Sequence, residues 1–285
     1  MKKQLSLILL SLFLSTAAPA KVSCASLYTA DAKVQSISRF GLLHAEAQEA
    51  LPELFRLLVW NVKKGEIKGM VEDFRTLSQD ANLVLLQEMV DRPDLTTSIS
   101  LAQPQLSWGM AQAFKWQRSE NYTGVATGST AKPLRENSFL SPVVEPIAKT
   151  PKSLLVTEYK LGRTGLHTLV ALNLHAINFV TQRSFELHMD QVVQVIRSHK
   201  GPLVVAGDFN TWSYPRLEYM ESVLQSLGLK NLNVGEAGWT FPFDHIFVRG
   251  LRLEQSIDLT RIESSDHKPL MVDLVYDPNV NLLKP

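Results

Sequence analysis

The chain has 285 residues, of which 45% are hydrophobic and 20% are charged. This composition is typical of a globular protein with a sizeable core and excludes an intrinsically disordered chain. The 29 basic and 28 acidic residues leave a net charge of +1, so the overall charge does not favour a protein that coats nucleic acid.

The N-terminal segment, residues 1–20, has the organisation of a secretory signal peptide. Two lysines precede an apolar stretch from Leu5 to Leu14 that is too short to span a bilayer, and an Ala-Pro-Ala cleavage motif ends at Ala20. An uncleaved membrane anchor is the alternative. The segment therefore predicts an exported protein, periplasmic or secreted, without a transmembrane segment in its mature form.

Residues 21–52 are predicted to form a helical N-terminal extension, because Ala, Glu and Gln dominate the stretch before Pro52. The single cysteine, Cys24, allows no internal disulfide, and the residues before it are a poor match to a lipid-attachment signal. One domain is predicted over residues 53–277, since no Gly-, Ser- or Pro-rich linker interrupts it, and residues 278–285 form a tail.

From Phe55 onward, short apolar runs alternate with amphipathic segments, which is typical of an α/β domain. The strands are predicted near residues 56–60, 83–86, 122–128, 153–161, 166–174, 203–206, 243–249, 251–257 and 269–275. The helices are predicted near residues 67–80, 185–196 and 214–227.

The most informative motif is Gly207-Asp208-Phe209-Asn210, which follows the buried strand at Leu203. In an extended segment residues i and i+2 point the same way, so Asp208 and Asn210 are expected to face one ligand together. A carboxylate beside an amide suits a hydrated divalent cation or a water aimed at phosphorus. By itself, the motif also fits an ordinary turn.

Further polar residues follow or open other apolar runs. They are Asn61, Glu88, Asn173, His175, Asp244, Asp266 and His267. Taken singly, Asn61 fits a helix cap, and His175 fits a buried histidine with satisfied hydrogen bonds. Glu88 is harder to explain in this way, because burying a carboxylate at a strand end costs several kcal/mol unless a cation or donor compensates it. Together these residues predict a site at one rim of a sheet assembly.

Six motifs in this order resemble the signature of the endonuclease/exonuclease/phosphatase family. They are Trp60-Asn61-Val62, Leu86-Gln87-Glu88, Asn173-Leu174-His175, Gly207-Asp208-Phe209-Asn210, Asp244-His245-Ile246 and Ser265-Asp266-His267. The resemblance covers roughly Phe55 to Tyr276 and is greatest to a little-characterised bacterial subgroup. It implies a four-layer α/β sandwich, in which two mixed β-sheets pack face to face with helices on both outer sides.

The resemblance also implies a metal site that holds Mg²⁺ or Mn²⁺. Glu88 matches the principal metal ligand of the family, and Asn61 and Asp266 match supporting positions. Oxygen ligands of this kind suit a hard cation that keeps several of its waters.

The catalytic positions of the family are matched as well. Asp208 and Asn210 match the pair that positions the attacking water and the phosphate, and His267 matches the histidine that acts as base or binds the scissile phosphate. Asp244 matches the carboxylate partner of that histidine, and His175 matches a second histidine that donates to the phosphoryl oxygens or the leaving group. Proton transfer by such groups contributes on the order of 10²–10⁴ in rate.

The chain departs from the pattern at Lys63, where some nucleases of the family carry an acid, and Lys64 follows it. A second metal site is therefore not expected there. The two lysines fit either a solvated loop or an additional phosphate contact. Other candidates for substrate contact, each also explicable as a surface charge or packing residue, are Arg118, Arg135, Lys152, Arg216 and Trp212.

Three functions remain open from the sequence. The first, which we favour, is an exported metal-dependent phosphodiesterase that acts on nucleic acid. The second is a phosphodiesterase or phosphatase for a lipid or inositol phosphate, and the third is an inactive binding module with the same fold. The complete set of motif residues argues against the third. Neither a basic stripe with interleaved aromatic residues nor a membrane-inserting hairpin is evident to separate the first two, and no obligate protein partner is evident.

Overall fold

The computed structural model describes residues 28–29, 37–116, 119–165, 167–235 and 241–279. Its strands in chain order are β1 Tyr28–Thr29, β2 Ile37–Gly41, β3 Leu54–Asn61, β4 Leu83–Val90, β5 Ser107–Trp116, β6 Tyr122–Ser129, β7 Arg135–Leu140, β8 Ser153–Leu161, β9 His167–His175, β10 Leu203–Asp208, β11 Lys230–Asn231, β12 Asp244–Arg249, β13 Leu251–Ile257 and β14 Leu270–Tyr276. Its α-helices are α1 Met70–Leu77, α2 Pro93–Ala102, α3 Gln182–Ile196 and α4 Tyr214–Gln225. The predicted signal peptide and Arg118 lie outside the described residues.

The strands form two mixed sheets. The larger sheet has the order β1-β5-β6-β4-β3-β14-β13, with β2 also paired to β5, and the smaller sheet has the order β11-β12-β10-β9-β8-β7. Each sheet contains one parallel pair, β3 with β4 and β10 with β9, and an antiparallel strand beside it, β14 or β12. The two sheets therefore share the same local arrangement of three strands, and the carboxyl ends of both parallel pairs carry predicted site residues.

The alternation of side chains along β3 shows how the layers form. Leu57 and Val59 belong to the cluster between the sheets, which also contains Val204 and Ala206 of the smaller sheet. Leu58 and Trp60 point the other way, into a cluster that they form with the buried side chains of α1 and α2. Because successive side chains of a strand face opposite sides, an unbroken apolar run is buried on both faces.

Helices α3 and α4 cover the outer face of the smaller sheet. Phe185, Met189 and Val192 of α3 pack with Leu172 and Val205 of the strands, and all five side chains are fully buried. The order of layers is thus helices, sheet, sheet, helices. The predicted four-layer α/β sandwich is confirmed.

The prediction of a helix before Pro52 is wrong. Residues 42–51 contain no helix, and the preceding segment forms β2, which pairs with Ser107–Ala111 of β5. Gln48 and Leu51 then form single parallel bridges with Ala131 and Leu161. The Ala/Glu/Gln composition favours a helix locally, but the backbone bonds to neighbouring strands and the full burial of Leu51 outweigh that weak preference.

No helix in the described part of the chain is both long and apolar enough to cross a bilayer.

Candidate active site

The predicted site residues meet where strands of both sheets end. Asn61 ends β3, His175 ends β9 and Asp208 ends β10, while Asp244 opens the antiparallel strand β12. Glu88 lies near the end of β4. In open α/β sheets the carboxyl ends of parallel strands are where ligands bind, and here two such edges face one another.

Asp208 is the centre of this group. Its Oδ2 accepts a hydrogen bond from Asn61 Nδ2 at 3.0 Å and lies 3.4 Å from His175 Nε2. The Nε2 of His267 is 3.8 Å from the same oxygen. Asp208 is 2% exposed, so these contacts take the place of water around its carboxylate. The structure therefore places three other predicted residues, Asn61, His175 and His267, around the Asp208 carboxylate.

Backbone pairing and a glycine fix the position of Asp208. In the sheet, Asp208 is registered against His175 on one side and Asp244 on the other. The preceding residue, Gly207, has a φ of 139°, and a Cβ there would lie 2.0 Å from the carbonyl oxygen of Leu174. Only glycine fits this close approach of β9 and β10, which is why the motif begins with one.

His267 and Asp244 form a hydrogen-bonded dyad. His267 Nδ1 lies 2.7 Å from Asp244 Oδ2, as the resemblance implied. The loop that carries His267 is tied to β3 twice, because Trp60 Nε1 donates to the His267 carbonyl at 3.0 Å and Ser265 Oγ donates to the Asn61 carbonyl at 2.6 Å. The imidazole is thus held with its Nε2 towards Asp208.

The surroundings move the pKa values of the three central groups in different directions. Burial and the neighbouring Asp244 carboxylate raise the pKa of Asp208 to about 7. Burial by itself would lower the pKa of His267, but the charges of Asp244 and Asp208 outweigh it and raise the value to about 10. Full burial and the charge of Lys152 hold the pKa of His175 well below its usual value, so this imidazole is neutral.

Glu88 reaches the site through a β-bulge. The register of β4 against β6 shifts between Leu86 and Met89, and Glu88 itself has a φ of 52°. Its Oε2 lies 2.8 Å from Lys64 Nζ, and its side chain also contacts Asn61. Burial acts to raise the pKa of Glu88, but Lys64 and Lys152 outweigh it, so the carboxyl is ionised. The bulge redirects a side chain at a functional edge, as bulges commonly do.

The side chain of Asn210 does not lie beside that of Asp208, although the sequence predicted that the two would face one ligand. Its φ is 53°, and its amide Nδ2 donates to the Ala176 carbonyl at 3.0 Å. Its backbone N–H donates to Asp208 Oδ1 at 2.9 Å. The extended i, i+2 geometry is therefore wrong, because the chain turns after Asp208. Asn210 supports the Asp208 carboxylate through its backbone instead of aligning a second side chain with it.

Arg216 is buried beneath the Asn210 turn and cannot contact a substrate, so this prediction is also wrong. It is 1% exposed and donates to the carbonyls of Asn210, Ile177 and Val180 at 3.0, 3.5 and 2.8 Å. Its guanidinium lies 4.3 Å from the Trp212 ring. Arg216 therefore joins the loop after Asp208 to the loop after His175, and it acts on the site only through them.

Two amides join the sheets behind the site: Asn173, which the sequence predicted to be part of the site, and Gln87, which was not singled out from the sequence. Gln87 Nε2 donates to Asn173 Oδ1 at 2.7 Å, and Asn173 Nδ2 donates to the carbonyl of Ala126 at 2.9 Å. Both side chains are fully buried between the sheets. The only signal in the sequence was a polar residue inside an apolar strand, which does not specify its partner.

The remaining candidates differ in their distance from the centre. Asp266 lies beside the site, 52% exposed in its side chain, with Lys63 Nζ 3.0 Å from its Oδ2. Trp212 is 43% exposed and donates to Asn178 Oδ1 at 2.9 Å, so it is partly packed and partly available. Arg135, 79% exposed in its side chain, is paired with Glu158 at 3.8 Å on β7, and it is a surface charge.

Two clefts flank the central residues. The first is lined by Lys64, Glu88, Phe114, Trp116, Lys152 and His175 among others. The second is lined by Phe243, Asp244, Asp266, His267 and Lys268 among others. Glu88 and His267 thus face different clefts, and Asn61, which contacts both Glu88 and Asp208, connects them.

The donor atoms at the site suit a divalent cation. Two carboxylates, Glu88 and Asp266, and the amide of Asn61 offer hard oxygen ligands. Asp244 Oδ1 is in addition buried and has no hydrogen-bond partner among the described residues. A group formed by Asp208, Asp244 and His267 also has potential ligand atoms within 4.8 Å of one another. In that group, however, His267 Nδ1 is already bonded to Asp244.

The sequence profile of the Endonuclease/Exonuclease/phosphatase family matches residues 58–267, and the chain belongs to this family. Members of the family are divalent-metal-dependent hydrolases that act on phosphoesters. The chain is also 34% identical over 242 residues to a UPF0294 protein from Yersinia pseudotuberculosis, covering 79% of this chain and 86% of the relative. The UPF0294 proteins form an uncharacterised bacterial subgroup, as the sequence resemblance implied.

Solved structures show the same fold at low sequence identity. An endonuclease/exonuclease/phosphatase from Beutenbergia cavernae has a TM-score of 0.60 and 16% identity, covering 79% of this chain and 72% of its own. The human Nocturnin catalytic domain with bound sulfate has a TM-score of 0.58 and 18% identity, with coverage of 80% and 96%. ANGEL2, a 2′,3′-cyclic phosphatase in complex with adenosine-2′,3′-vanadate, has a TM-score of 0.59 and 13% identity, with coverage of 86% and 99%.

Proposed function

We propose that the protein is an exported phosphodiesterase that uses Mg²⁺ or Mn²⁺ to hydrolyse nucleic acid by in-line attack of water. The observation that carries the proposal is the arrangement around Asp208. A buried carboxylate with a raised pKa lies between a neutral histidine, His175, and the cationic His267 of a carboxylate–imidazole dyad. A binding module has no need of three titratable groups adjusted in this way.

The pKa values assign complementary roles to the two central groups. The Asp208 carboxylate, with a pKa near neutrality, is suited to accept the proton of an attacking water. The protonated His267 presents Nε2–H as a donor to a non-bridging phosphate oxygen, and Asp244 keeps the ring oriented and charged. Environments that separate the pKa values of neighbouring groups in this way usually mark the base and the donor.

His175 and Asn61 complete the polar wall. The neutral imidazole of His175, 3.4 Å from Asp208, is placed to donate to a phosphoryl oxygen or to the leaving group. Asn61 orients Asp208 and adjoins Glu88. Glu88, Asn61 and Asp266 would hold the divalent cation, which supplies charge neutralisation at the phosphate and polarises a bound water.

Nucleic acid is the proposed substrate because the cleft beside Glu88 combines aromatic walls with cations. Phe114 and Trp116 line the cleft together with Lys64 and Lys152. Bases stack on aromatic rings, and phosphates pair with lysines. ANGEL2, whose fold is similar, was solved with an adenosine derivative. Export rests on the segment before residue 21, with its two lysines and apolar stretch.

A lipid or inositol phosphate is the second candidate. Phe179 and Tyr214 are 71% and 60% exposed. Phe179 lies on the loop after β9, and Tyr214 begins helix α4, which follows the loop after β10. Exposed aromatic rings of this kind also suit the interface of a bilayer.

The test is hydrolysis by the purified mature protein of plasmid DNA, RNA, sphingomyelin and phosphoinositides, with Mg²⁺, Mn²⁺ or EDTA. We expect cleavage of a nucleic acid that EDTA abolishes and that His267→Ala reduces by on the order of 10²–10⁴. Activity unaffected by the chelator or by His267→Ala would refute the mechanism. Hydrolysis of the lipid substrates without any cleavage of nucleic acid would replace the first candidate with the second.

A further inference from the structure

Two consecutive lysines each hold one of the carboxylates that are assigned to the metal. Lys64 Nζ lies 2.8 Å from Glu88 Oε2, and Lys63 Nζ lies 3.0 Å from Asp266 Oδ2. The two lysines are neighbours in one short turn, whereas the two acids are far apart in the sequence. Each lysine nevertheless reaches a different acid. Both carboxylates that are assigned to the metal are thus paired with an ammonium group.

The backbone of this turn has an uncommon conformation. Lys63, Lys64 and Gly65 have φ values of 46°, 60° and 66°, so two lysines adopt the left-handed region that normally favours glycine. A residue other than glycine is strained in this region. The Lys63 N–H donates to Asn61 Oδ1 at 3.1 Å, which holds the turn against the site. The turn directs both lysines towards the acids, unlike a freely solvated charged loop.

The ion pair between Lys64 and Glu88 is partly shielded from solvent. The side chains are 28% and 24% exposed, whereas those of Lys63 and Asp266 are 38% and 52% exposed. The Lys64–Glu88 pair is therefore the stronger of the two, since solvent screens the other more.

We infer that Lys63 and Lys64 are built-in counter-ions that compete with the divalent cation for Asp266 and Glu88. When the cation takes the carboxylates, the two ammonium groups lose their partners and become available to phosphate oxygens in the adjoining cleft. Metal and phosphate binding are then coupled, and each strengthens the other. This inference rests on the proposed function, because it concerns the same metal site.

The inference predicts opposite effects of one substitution on the two ligands. Lys64→Met removes the competing charge and keeps most of the side-chain length. We expect its affinity for Mn²⁺ to be about tenfold higher than that of the unaltered protein, in line with a partly shielded ion pair. The affinity of the Mn²⁺-saturated variant for inorganic phosphate should fall about tenfold. Lys63→Met should change both affinities in the same directions by smaller factors.

Lys68→Met is the matched control. Lys68 is exposed, lies in the same connection between β3 and α1, and forms no ion pair with any described residue at the site. Lys64→Asn is a second variant, because asparagine tolerates a left-handed backbone and also removes the charge. Isothermal titration with Mn²⁺, then with inorganic phosphate at saturating Mn²⁺, measures both affinities without reference to turnover.

The possible outcomes distinguish a failure of this inference from a failure of the proposed function. If the unaltered protein binds Mn²⁺ and hydrolyses a phosphodiester, but both Lys64 variants bind Mn²⁺ like Lys68→Met or more weakly, the inference is wrong and the proposed function survives. An unchanged affinity for phosphate would overturn the coupling in the same way. If the unaltered protein binds no Mn²⁺ and EDTA leaves its activity intact, the proposed function itself fails.

Discussion

The substitution Asp244→Asn tests the dyad with little change of shape. Asp244 Oδ2 lies 2.7 Å from His267 Nδ1, and its negative charge is the main reason why the pKa of this histidine is raised. An amide in its place has no charge, and an opposite charge at such a distance raises the pKa by ~1–3 units. The pKa of His267 should therefore fall from about 10 by roughly two units or more. Since Asp244 also raises the pKa of Asp208, that value should fall as well.

The assay follows the imidazole and the reaction separately. Nitrogen-15 NMR of the imidazole measures the titration directly, and hydrolysis of bis(p-nitrophenyl) phosphate gives the pH profile of kcat/KM. If protonated His267 donates to the phosphate, activity is lost as pH rises through its pKa. We expect Asp244→Asn to move this alkaline limb to lower pH and to reduce the plateau by on the order of 10²–10⁴. Asp80→Asn, at a side chain that is 76% exposed, is the control for the loss of one carboxylate.

The same pair makes a prediction about stability. Because the pKa of His267 in the folded protein is raised above 6.5, its contribution to stability is fully present below pH 6.5 and is lost as the pH rises through about 10. The unaltered protein should therefore exceed Asp244→Asn in free energy of unfolding most clearly below pH 6.5, and the difference should narrow at alkaline pH. An imidazole that titrates near 6.5 in both proteins would refute the reasoning.

Three further outcomes follow from other contacts. Arg216→Met leaves three loop carbonyls without their donor, so the free energy of unfolding by urea should fall by ~2–4 kcal/mol, with kcat reduced as well. Unchanged stability would contradict the conclusion that Arg216 joins the two loops. Gly207→Ala places a Cβ 2.0 Å from the Leu174 carbonyl oxygen and should lower the free energy of unfolding by ~3 kcal/mol or more, which thermal denaturation measures. Glu88→Gln should weaken Mn²⁺ binding by roughly two orders of magnitude, and retention of full affinity in a titration would exclude Glu88 as the principal ligand.

The strands around the site could be predicted because they are buried on both faces. Leu203 to Ala206 is an unbroken apolar run in the sequence and a central strand in the structure, with neighbours on both sides. Strand β5 and the edge strand β7 were not predicted. In β7, Arg135, Glu136 and Asn137 precede the apolar residues, so the pairing with β8 decides its conformation. Such a strand carries little signal of its own, because cross-strand contacts determine it.

The composition of the site was likewise more predictable than its local geometry. The spacing of the motifs specifies which residues meet, and Asp244 and His267 lie within hydrogen-bond distance as expected. The backbone turns at the site could not be predicted from the sequence. Asn210 and Glu88 both have positive φ values, so neither side chain points where an extended strand would place it. The burial of Arg216 could not be predicted either. Its partners are backbone carbonyls, and because every residue has one, they leave no signal in the sequence.

The division between strand ends and loops bears on the choice of substrate. His175 and Asp208 end neighbouring strands of the smaller sheet, so the backbone register fixes their relative positions. Asn61 ends a strand of the larger sheet, and the core between the sheets and its hydrogen bond to Asp208 hold it against them. Part of the cleft beside Glu88 is lined by a connection instead, Glu145 to Lys152 between β7 and β8, and the exposed ring of Phe179 lies on the connection after β9. Those connections can change without disturbing the register around Asp208. Exchanging Phe179 or Lys152 should therefore alter the preference between nucleic acid and lipid phosphate while the titration of His267, set by Asp244, stays as it is.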